Sequence, residues 1–388
     1  MKKTLLLRAP VLTKSGYGVH SRQILRYLLS KSELDIYCQP VPWGITPWSL
    51  DPSDDNGLVG EALQRGIDQP NMKFDYSVQV QLPNEWDASL ARKNIGVTAG
   101  VETTAANPTW ASVHCSKMDL IIVPSQHTKD SLLSNSFTNT PVKVVPETYF
   151  DEICLEPEDL DLGMKTAFNF LAVGVMTGTT PETDRKNLFY LIKWFVEEFK
   201  DDPDVGLVIK TNRGRETAID RAVTFKVLKQ VLRECRTGKF PNVYLVHGVM
   251  SRKDMTSMYK SKNIKALISC TRGEGFGLPM IEAAAAGLPV IATDWSAHKE
   301  FLDLGKWINV DYELKQIPDQ KVDNNIFVNG SQWAEVKEED FKKKIRKFYK
   351  GSQLPTEWAE DLSEKIQEKY CWKNIMQYYD EALSGIIF

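Results

Sequence analysis

Two glutamates flank a glycine-rich turn in the second half of the chain. Glu274 and Glu282 are separated by seven residues, and the turn contains Gly273, Gly275 and Gly277. Glycines let backbone N–H groups approach a ligand closely, and a helix N-terminus adds partial positive charge. A turn of this kind at the start of a helix is therefore predicted to bind a diphosphate. The two carboxylates would accept hydrogen bonds from the hydroxyl groups of a sugar or a ribose.

The elements on either side determine how this turn is presented. A buried strand is predicted at residues 266–270 and a helix at residues 279–286. Pro279 suits the first turn of that helix, because an N–H at this position would lack an intrahelical partner. Glu282 lies about one turn into the helix among apolar residues, where a buried carboxylate needs a polar partner. The alternative interpretation is a tight turn with Glu282 facing solvent, since short glycine patterns are weak signals.

A longer string around the turn resembles a known family. Residues 274–292 contain E-G-F-G-L-P-x-x-E-A-x-A-x-G-L-P-V-I-A, which is similar to the E-x7-E signature of family-4 glycosyltransferases. The resemblance implies an α/β protein with the GT-B fold, in which two Rossmann-like doubly wound domains face each other across a cleft. It implies that Glu274 binds hydroxyls of the donor sugar and that Glu282 binds the ribose of the nucleotide. The backbone amides expected to hold phosphate and sugar belong to Gly275, Phe276, Gly277 and Leu278.

The resemblance also implies basic residues that neutralise the donor diphosphate. Arg185 and Lys186 follow the first predicted strand of the second domain, at residues 168–175, and Lys210 ends the next one. Preorganised cations stabilise the charge that a leaving diphosphate gains in the transition state. The loop before Arg185 is longer than the family's G-R-x-x-x-x-K-G spacing. A solvated basic helix N-terminus is the alternative interpretation.

A nucleobase pocket is expected after another strand of the second domain. Val249 and Met250 follow the predicted strand at residues 243–246, where the family holds the base partly through backbone atoms. Tyr259 is a third candidate for this pocket. Side chains of these types are equally suited to a hydrophobic core, and that alternative stays open.

Two segments of the first domain are also similar to the family. Gly16, Tyr17 and Gly18 follow the first predicted strand and resemble the glycine loop that closes over the donor and helps to shape the acceptor site. Glu102 occupies roughly the place where other members carry a histidine beside the reacting carbon. Glu102 is therefore predicted to be a catalytic or acceptor-site residue, with a structural carboxylate as the alternative.

Short apolar runs alternate with helical patterns through most of the chain, which indicates parallel sheets covered on both faces. The alternation restarts near residue 168, after an acidic stretch at 151–165 that is interpreted as a linker. We expect an acceptor-side Rossmann-like domain at 1–160 and a donor-binding one at 161–369, with a C-terminal helix at about 370–388 packing back on the first. Strands are predicted at 4–8, 74–82, 95–100, 120–123, 142–145, 168–175, 207–210, 243–246, 266–270 and 289–293, and helices at 18–29, 109–117, 125–134, 187–200, 216–234, 252–259, 279–286 and 357–388.

Composition narrows the classes of protein. The chain has 388 residues, 42% of them hydrophobic and 26% charged, which is typical of a globular protein of two domains. The net charge of −3 provides no overall basic field for nucleic acid or an anionic membrane. The apolar run near the start is interrupted by Arg8 and Pro10, and no stretch is long enough to span a bilayer, so a cytoplasmic protein is predicted. Reduced thiols are expected at the six scattered cysteines, Cys38, Cys115, Cys154, Cys235, Cys270 and Cys371.

The resemblance implies a mechanism as well. Family members transfer the sugar with retention of anomeric configuration and need no metal, and no D-x-D dyad is placed to hold one here. The acceptor hydroxyl would attack on the face from which phosphate leaves, while Glu274 positions the sugar ring. The expected partners are a nucleotide-diphosphate sugar and an acceptor glycan, lipid or other hydroxyl compound, with no cofactor.

Other functions remain open. One is a phage-type DNA hydroxymethyl-base glycosyltransferase, which the acidic net charge disfavours. Others are a non-catalytic sugar-nucleotide-binding protein and a phosphorylase or sugar-phosphate synthase on the same fold. The lysine-rich stretch at 341–350 is interpreted as a solvated helix whose charges match its ends, with a membrane- or nucleic-acid-binding patch as the alternative.

Overall fold

The computed structural model of the chain describes residues 2–68 and 72–388, and the chain divides into two compact units. The first unit extends to Thr148 and includes Asn324–Val328 and Trp372–Phe388. The second unit consists of Tyr149–Asp323 and Asn329–Cys371. Residues 149–160 therefore lie in the second unit, while the domain limits given by the sequence stay a prediction.

The first unit contains a parallel sheet of six strands in the order β2-β1-β3-β4-β5-β6. Leu5, Leu6 and Leu7 of the second strand in this order are fully buried, as expected for a strand covered on both faces. The strands are β1 Lys3–Ala9, β2 Leu34–Pro40, β3 Phe74–Val80, β4 Ala91–Val97, β5 Leu120–Val123 and β6 Val142–Val144, and the helices are α1 Gly16–Leu29, α2 Leu58–Gln64 and α3 Gln126–Leu133.

The second unit contains another parallel sheet of six strands, in the order β9-β8-β7-β10-β11-β12. This is the order of a doubly wound sheet whose direction of winding reverses between β7 and β10. The strands are β7 Phe168–Val173, β8 Val205–Thr211, β9 Asn242–His247, β10 Ile264–Ser269, β11 Val290–Thr293 and β12 Ile308–Val310, followed by the antiparallel pair β13 Tyr312–Gln316 and β14 Gln332–Val336. The helices are α4 Leu188–Glu198, α5 Ala218–Cys235, α6 Arg252–Tyr259, α7 Leu278–Ala285, α8 Lys299–Leu302, α9 Glu338–Lys350 and α10 Gln353–Lys369.

These two sheets confirm the predicted α/β class with two Rossmann-like domains. A last helix, α11 Trp372–Leu383, belongs to the first unit. There the hydroxyl of Tyr27 donates to Asp380 Oδ1 at 2.7 Å. Within the described residues, no helix is both long enough and apolar enough to cross a membrane.

The helix predicted at residues 109–117 is present, although most of it is not a regular α-helix. The chain forms a π-helix, Trp110–His114, followed by a 3-10 turn, Cys115–Lys117. Trp110 and Cys115 are both fully buried, and the wider π turn places residues five positions apart on the same side. The sequence-based prediction also missed β2, although burial alternates along this strand. It missed α2, β12 and the β13–β14 hairpin as well, whose short or exposed segments carry weak periodic patterns.

Candidate functional site

The loops after β7 and β10 meet where the second sheet reverses its winding. These two strands are neighbours, but the chain leaves them in opposite directions, so a crevice opens at their carboxyl ends. Arg185 and Lys186 lie in the loop between β7 and α4, and Glu274 lies in the loop between β10 and α7. The sheet order therefore brings together two predicted groups that are 88 positions apart in the chain.

Glu274 is the centre of this cluster and is only 6% exposed. Lys186 Nζ lies 2.6 and 2.7 Å from its two carboxylate oxygens. Arg185 Nη1 is 3.5 Å from Glu274 Oε2 and also donates to the carbonyl of Gly273 at 2.6 Å. The hydroxyl of Thr271 donates to Glu274 Oε1 at 2.8 Å. The carboxylate is thus held in a single orientation by two cations and a hydroxyl.

Two opposing effects determine the ionisation of Glu274. Burial raises the pKa of this carboxyl, while the charges of Lys186 and Arg185 and the hydrogen bonds from Lys186 and Thr271 lower it. The cations prevail and bring the pKa to about 2. Glu274 is therefore an anion throughout the physiological pH range.

The loop that carries the two cations is fixed by Asp184, which is fully buried. Its Oδ1 accepts from the backbone N–H and hydroxyl of Thr177 at 2.8 and 2.9 Å, and its Oδ2 accepts from Leu188 N at 2.8 Å. Arg272 holds the same loop from the other side, because its Nη1 donates to the carbonyls of Pro181 and Asp184 at 2.7 and 2.6 Å. Sequence reasoning missed both residues.

Arg272 is itself anchored by the hairpin that the sequence did not reveal. Its guanidinium donates to both carboxylate oxygens of Glu335 in β14, at 2.6 and 3.0 Å. The backbone N–H of Ala334 donates to the carbonyl of Arg272 at 3.1 Å. Arg272 is 1% exposed, and bidentate pairing of this kind fixes both partners. The β13–β14 hairpin thus holds Arg272 in place, and Arg272 in turn holds the loop that carries Arg185 and Lys186.

A second support holds the backbone of Glu274. Its N–H donates to Ser296 Oγ at 3.0 Å, and Ser296 Oγ lies 3.4 Å from Nδ1 of the buried His298. His298 Nε2 is 2.7 Å from the carbonyl of Thr293, so this nitrogen carries the proton and Nδ1 accepts. Burial lowers the pKa of His298, which keeps the ring neutral. Ser296 adopts φ +85°, a left-handed conformation that is strained for a serine.

The turn between the two glutamates requires glycine. Gly277 has φ +105° and precedes α7. A Cβ at this position would lie 3.1 Å from the Cβ of His298 and 3.3 Å from Cε of Met280. Among the described residues no side chain caps the N-terminus of α7, so its first N–H groups carry partial positive charge toward the loop. Phe276 is buried and Leu278 is half-buried.

Glu282 lies in a different environment on α7. Tyr259 donates to its Oε2 at 2.9 Å and is 1% exposed. Burial raises the pKa of Glu282 to about 7, although Tyr259 and Arg252 both lower it. The half-buried carboxyl thus titrates near neutrality, and Tyr259 serves as its partner from within the core.

The remaining residues predicted for the second unit lie at or after the carboxyl ends of β8 and β9. Lys210 is 7% exposed and donates to the carbonyl of Gly248, and burial lowers the pKa of this lysine. Val249 is 44% exposed and Met250 is half-buried. Asn187, which follows Lys186, is fully buried with φ +55°, and neither atom of its amide has a partner in the described part of the chain. A buried amide without a protein partner is expected to hydrogen-bond to a ligand or a water.

The predicted residues of the first unit form a cluster of their own. Gly16 begins α1, and a Cβ at Gly18 would lie 1.9 Å from the carbonyl oxygen of Thr13, so only glycine fits there. The hydroxyl of Tyr17 accepts from Ala99 N at 2.9 Å, and its ring stacks on Trp43 with centroids 3.7 Å apart.

Two glutamates affect the Tyr17 phenol electrostatically. Burial raises its pKa, and the negative charges of Glu102 and Glu147 raise it further. Glu102 is half-buried. The first unit therefore brings Glu102 and Tyr17 into electrostatic range of each other.

Comparison with known proteins finds a family match for the region that holds the cluster. Residues 183–367 match the family described as Glycosyl transferases group 1. A probable sucrose-phosphate synthase of Thermosipho melanesiensis is 29% identical over 199 residues, which are 50% of this chain and 40% of that protein. A sucrose synthase of Melioribacter roseus is 25% identical over 208 residues, which are 50% of this chain and 23% of that protein. Each match thus spans less than half the length of the curated relative.

Solved structures with the same fold cover almost the whole chain. A glycosyltransferase of Rickettsia africae has a TM-score of 0.64 at 16% identity, with 99% of both chains covered. A sucrose-phosphate synthase of Thermosynechococcus elongatus has a TM-score of 0.63 at 12% identity, with 98% of both chains covered. An E. coli structure described as trehalose-6-phosphate bound with UDP-2-fluoro glucose has a TM-score of 0.62 at 11% identity, with 99% of both covered. Together these structures show that the chain has the GT-B fold, whereas membership of family 4 stays a prediction.

Proposed function

We propose that this protein moves a sugar from a nucleotide-diphosphate sugar to an acceptor hydroxyl, because residues 183–367 match the Glycosyl transferases group 1 family. We further propose that the transfer retains the anomeric configuration and needs no metal. The observation that carries the proposal is the buried, ionised Glu274 held by Lys186 and Arg185. This cluster lies where a doubly wound sheet binds its ligand.

The donor diphosphate is assigned to the space between the two cations and the N-terminus of α7. Lys186 and Arg185 supply full positive charges, and the amides from Gly275 to Leu278 supply partial ones. Lys210 is a further cation of this unit, near the carboxyl end of β8. We assign the ribose to Glu282 and the base to the segment with Val249 and Met250.

Glu274 is assigned to positioning rather than to covalent catalysis. A carboxylate hydrogen-bonded to Lys186 and ion-paired with Arg185 is a weak nucleophile, whereas it remains a strong acceptor for sugar hydroxyls. In the proposed step, the bond between the anomeric carbon and the diphosphate oxygen breaks as the acceptor oxygen bonds to the same face of that carbon. The acceptor proton passes to an oxygen of the leaving phosphate, whose growing charge Lys186 and Arg185 stabilise.

The cations support a reaction that does not depend on a metal. In the proposed site, Lys186 and Arg185 would neutralise the phosphate charge that a divalent ion neutralises in metal-dependent enzymes. Transfer should therefore continue when EDTA is added to the assay. Loss of activity with EDTA and its recovery with Mg²⁺ or Mn²⁺ would overturn this part of the proposal.

A sugar or sugar-phosphate acceptor is the second candidate that an observation favours. One curated relative is a probable sucrose-phosphate synthase and another a sucrose synthase. In the first unit, Glu102, Tyr17 and the loop Gly16–Gly18 are our candidates for the acceptor side.

A cytoplasmic location is part of the proposal, because the six cysteines are all free thiols, as expected in a reducing compartment.

The function is tested by ligand binding followed by product analysis. A panel of nucleotide sugars is screened by thermal shift, where a donor at a hundredfold its Kd should add about 2.7 kcal/mol of stability. The best donor is then incubated with sugar and sugar-phosphate acceptors, and the anomer of the product is assigned by NMR. A protein that none of the donors stabilises contradicts donor binding, and an inverted anomer contradicts retention alone.

A further inference from the structure

We propose that the outer face of α5 docks the second unit on an anionic lipid surface. The segment at residues 213–239, which contains α5 and its flanks, has eight Lys and Arg against three Asp and Glu, a net charge of +5, in a chain whose net charge is −3. Clusters of four to eight cations on a surface helix are typical of sites that bind acidic lipid headgroups. The location of these charges, rather than the overall charge, is therefore the relevant property.

The cations and two apolar side chains lie along one side of the helix. Ile219, Val223, Lys226, Gln230 and Arg233 follow a spacing of four, three, four and three residues, which forms a single stripe. We call this stripe the α5 face. Its apolar members are exposed, Ile219 by 75% and Val223 by 38%. Burial against the sheet falls on the opposite side of the helix, at Thr224 and Leu228.

Three of the cations of α5 are Lys226, Lys229 and Arg233. Within the described residues, Lys226, Lys229 and Arg233 form no ion pair with a carboxylate, and the ammonium of Lys229 instead lies 4.5 Å from the ring centroid of Phe225. An exposed cation without a partner keeps its full attraction for an external anion. The face is thus both positively charged and partly apolar.

The basic helix α9 provides the contrast. Lys342 pairs with Glu197 at 2.7 Å, Lys344 with Asp340 at 2.7 Å, and Arg346 with Glu198 at 2.7 Å. Three of the six cations of α9 are therefore paired within the protein, and its apolar residues Phe341, Ile345 and Phe348 are buried. Its exposed lysines thus have no exposed apolar side chain of the same helix beside them. A high lysine content alone does not make a docking surface; unpaired charge beside exposed apolar side chains does.

An open groove lies at the C-terminal end of α5. It has a volume of about 520 Å³, and its lining includes Lys229, Leu232, Arg233, Arg236 and Lys239. Four of these five side chains are cations. A headgroup phosphate placed in the groove would contact several of them, while the α5 face meets the membrane surface.

The same observations distinguish lipid from other occupants. A second copy of this chain docked face to face would oppose two identical basic surfaces, which is electrostatically unfavourable. Nucleic acid would use the cations, because phosphate contacts dominate its affinity, but it has no role for Ile219 and Val223. An anionic bilayer uses both, because the apolar side chains enter the headgroup boundary and the cations bind its charge.

The experiment measures co-sedimentation of the whole protein with vesicles. We expect binding to vesicles of phosphatidylcholine mixed with phosphatidylglycerol, weak binding to phosphatidylcholine alone, and a decrease in binding as salt is added. The triple variant Lys226→Glu/Lys229→Glu/Arg233→Glu should bind the mixed vesicles at least ~10-fold more weakly, since each cation contributes roughly fivefold at the surface. A variant Ile219→Ser/Val223→Ser should retain the salt dependence and lose the binding that persists at high salt.

A matched control is present on α9. The variant Lys343→Glu/Lys347→Glu/Lys350→Glu makes the same change of net charge on exposed lysines of the other basic helix and should bind as the wild type does. Equal loss in both triple variants would overturn the proposal, because only net charge would then matter. Tighter binding to duplex DNA than to the mixed vesicles at the same salt would overturn it in favour of nucleic acid, and lack of vesicle binding by the wild type would overturn it outright.

Circular dichroism and thermal melting establish that each variant is folded before its binding is compared. No nucleotide sugar takes part in the vesicle experiment. Its outcome is therefore independent of whether the proposed glycosyl transfer is correct.

Discussion

Glu274, in the loop before α7, and Glu282, within α7, are close together in the chain, yet their carboxyl groups differ in charge. Burial raises the pKa of both. Glu274 faces Lys186 and Arg185, which lower its pKa to about 2, whereas Glu282 has the neutral hydroxyl of Tyr259 as its hydrogen-bond partner and a pKa of about 7. The comparison shows that the nature of the neighbours, more than the depth of burial, determines the charge of a carboxyl in this site.

This difference suits the two roles that we propose. An anion that is fixed at every working pH holds sugar hydroxyls in one orientation. A carboxyl that titrates near neutrality adjusts its charge to the ligand, because ribose hydroxyls favour the ionised form when they bind. Variants at Glu274 and its neighbours, and variants at Glu282, test the two roles separately.

The largest effect is expected for Glu274→Gln. The amide keeps the shape of the side chain but removes the anion, so the cations lose their partner and the sugar hydroxyls lose a charged acceptor. Turnover should fall by about 1,000-fold, in the range found when a preorganised polar group is removed. Steady-state kinetics with the preferred donor measures it. Glu313→Gln, at a glutamate whose side chain is 59% exposed, is the control, and wild-type turnover in a folded Glu274→Gln protein would refute the assignment.

The next effect is expected for Lys186→Ala. This change removes the nearest cation from Glu274 and from the leaving diphosphate, and turnover should fall by about 100-fold. The control is Lys193→Ala, which breaks an ion pair with Glu197 on the outside of α4 and should cost less than about 1 kcal/mol of stability without a change in turnover. Equal kinetic effects in the two variants would show that Lys186 acts through the fold alone.

Glu282→Gln should alter the pH dependence of the ligand-free protein. The carboxyl has its pKa raised from about 4.5 when unfolded to about 7 when folded, so the folded state binds a proton more tightly. The stability from this proton is fully present below pH 4.5 and is lost as the pH rises through 7. Wild-type protein should therefore lose about 1–3 kcal/mol relative to Glu282→Gln between pH 5 and pH 8, as measured by calorimetric melting. Parallel curves for the two proteins would contradict the raised pKa.

Donor binding provides the matching test of the same glutamate. If ribose hydroxyls bind the ionised form, then wild-type protein releases a proton on donor binding near pH 7, and its affinity rises as the pH increases through 7. Titration calorimetry in buffers of different ionisation enthalpy measures this release. Glu282→Gln should bind the donor about tenfold more weakly and release no proton. A wild-type protein without proton release would separate Glu282 from the ribose.

The smallest effect concerns the support of Glu274 by Ser296. Replacing Ser296 by Ala removes the acceptor for the Glu274 N–H and leaves a Cβ at φ +85°, whereas Ser296→Gly removes the same acceptor and relieves the strain. Both variants should lose a few-fold in turnover, about what one hydrogen bond contributes. Ser296→Gly should melt at a higher temperature than Ser296→Ala. Equal melting temperatures would contradict the strain.

The positions with strong local signals were predictable. Apolar runs such as Leu5–Leu7 predicted the parallel strands. The three glycines between residues 273 and 277 predicted the turn. Arg185 and Lys186 came from the resemblance, and the structure places both beside Glu274. Their roles in transfer stay predictions until the variants are measured.

Other parts of the site carried no signal in the sequence. Arg272 reaches Glu335 across 63 positions, and Glu274 N–H reaches Ser296 across 22. The sequence around Arg272 and Ser296 shows no distinguishing motif, since an arginine or a serine is common in a surface loop. The hairpin that presents Glu335 is short and half-exposed, so its periodicity could not be distinguished from a loop.

Two parallel sheets could be predicted from the amino-acid sequence alone, because the sheet class depends on the local alternation of apolar strands and helices. The sequence also identified the turn from Glu274 to Glu282 as a candidate ligand loop. The tertiary structure decided which groups meet there: the strand order places the β7 and β10 loops together, and their cations make one glutamate a permanent anion while the other titrates near pH 7. Charge state depends on neighbours in space, and only folding brings residues 88 positions apart into contact.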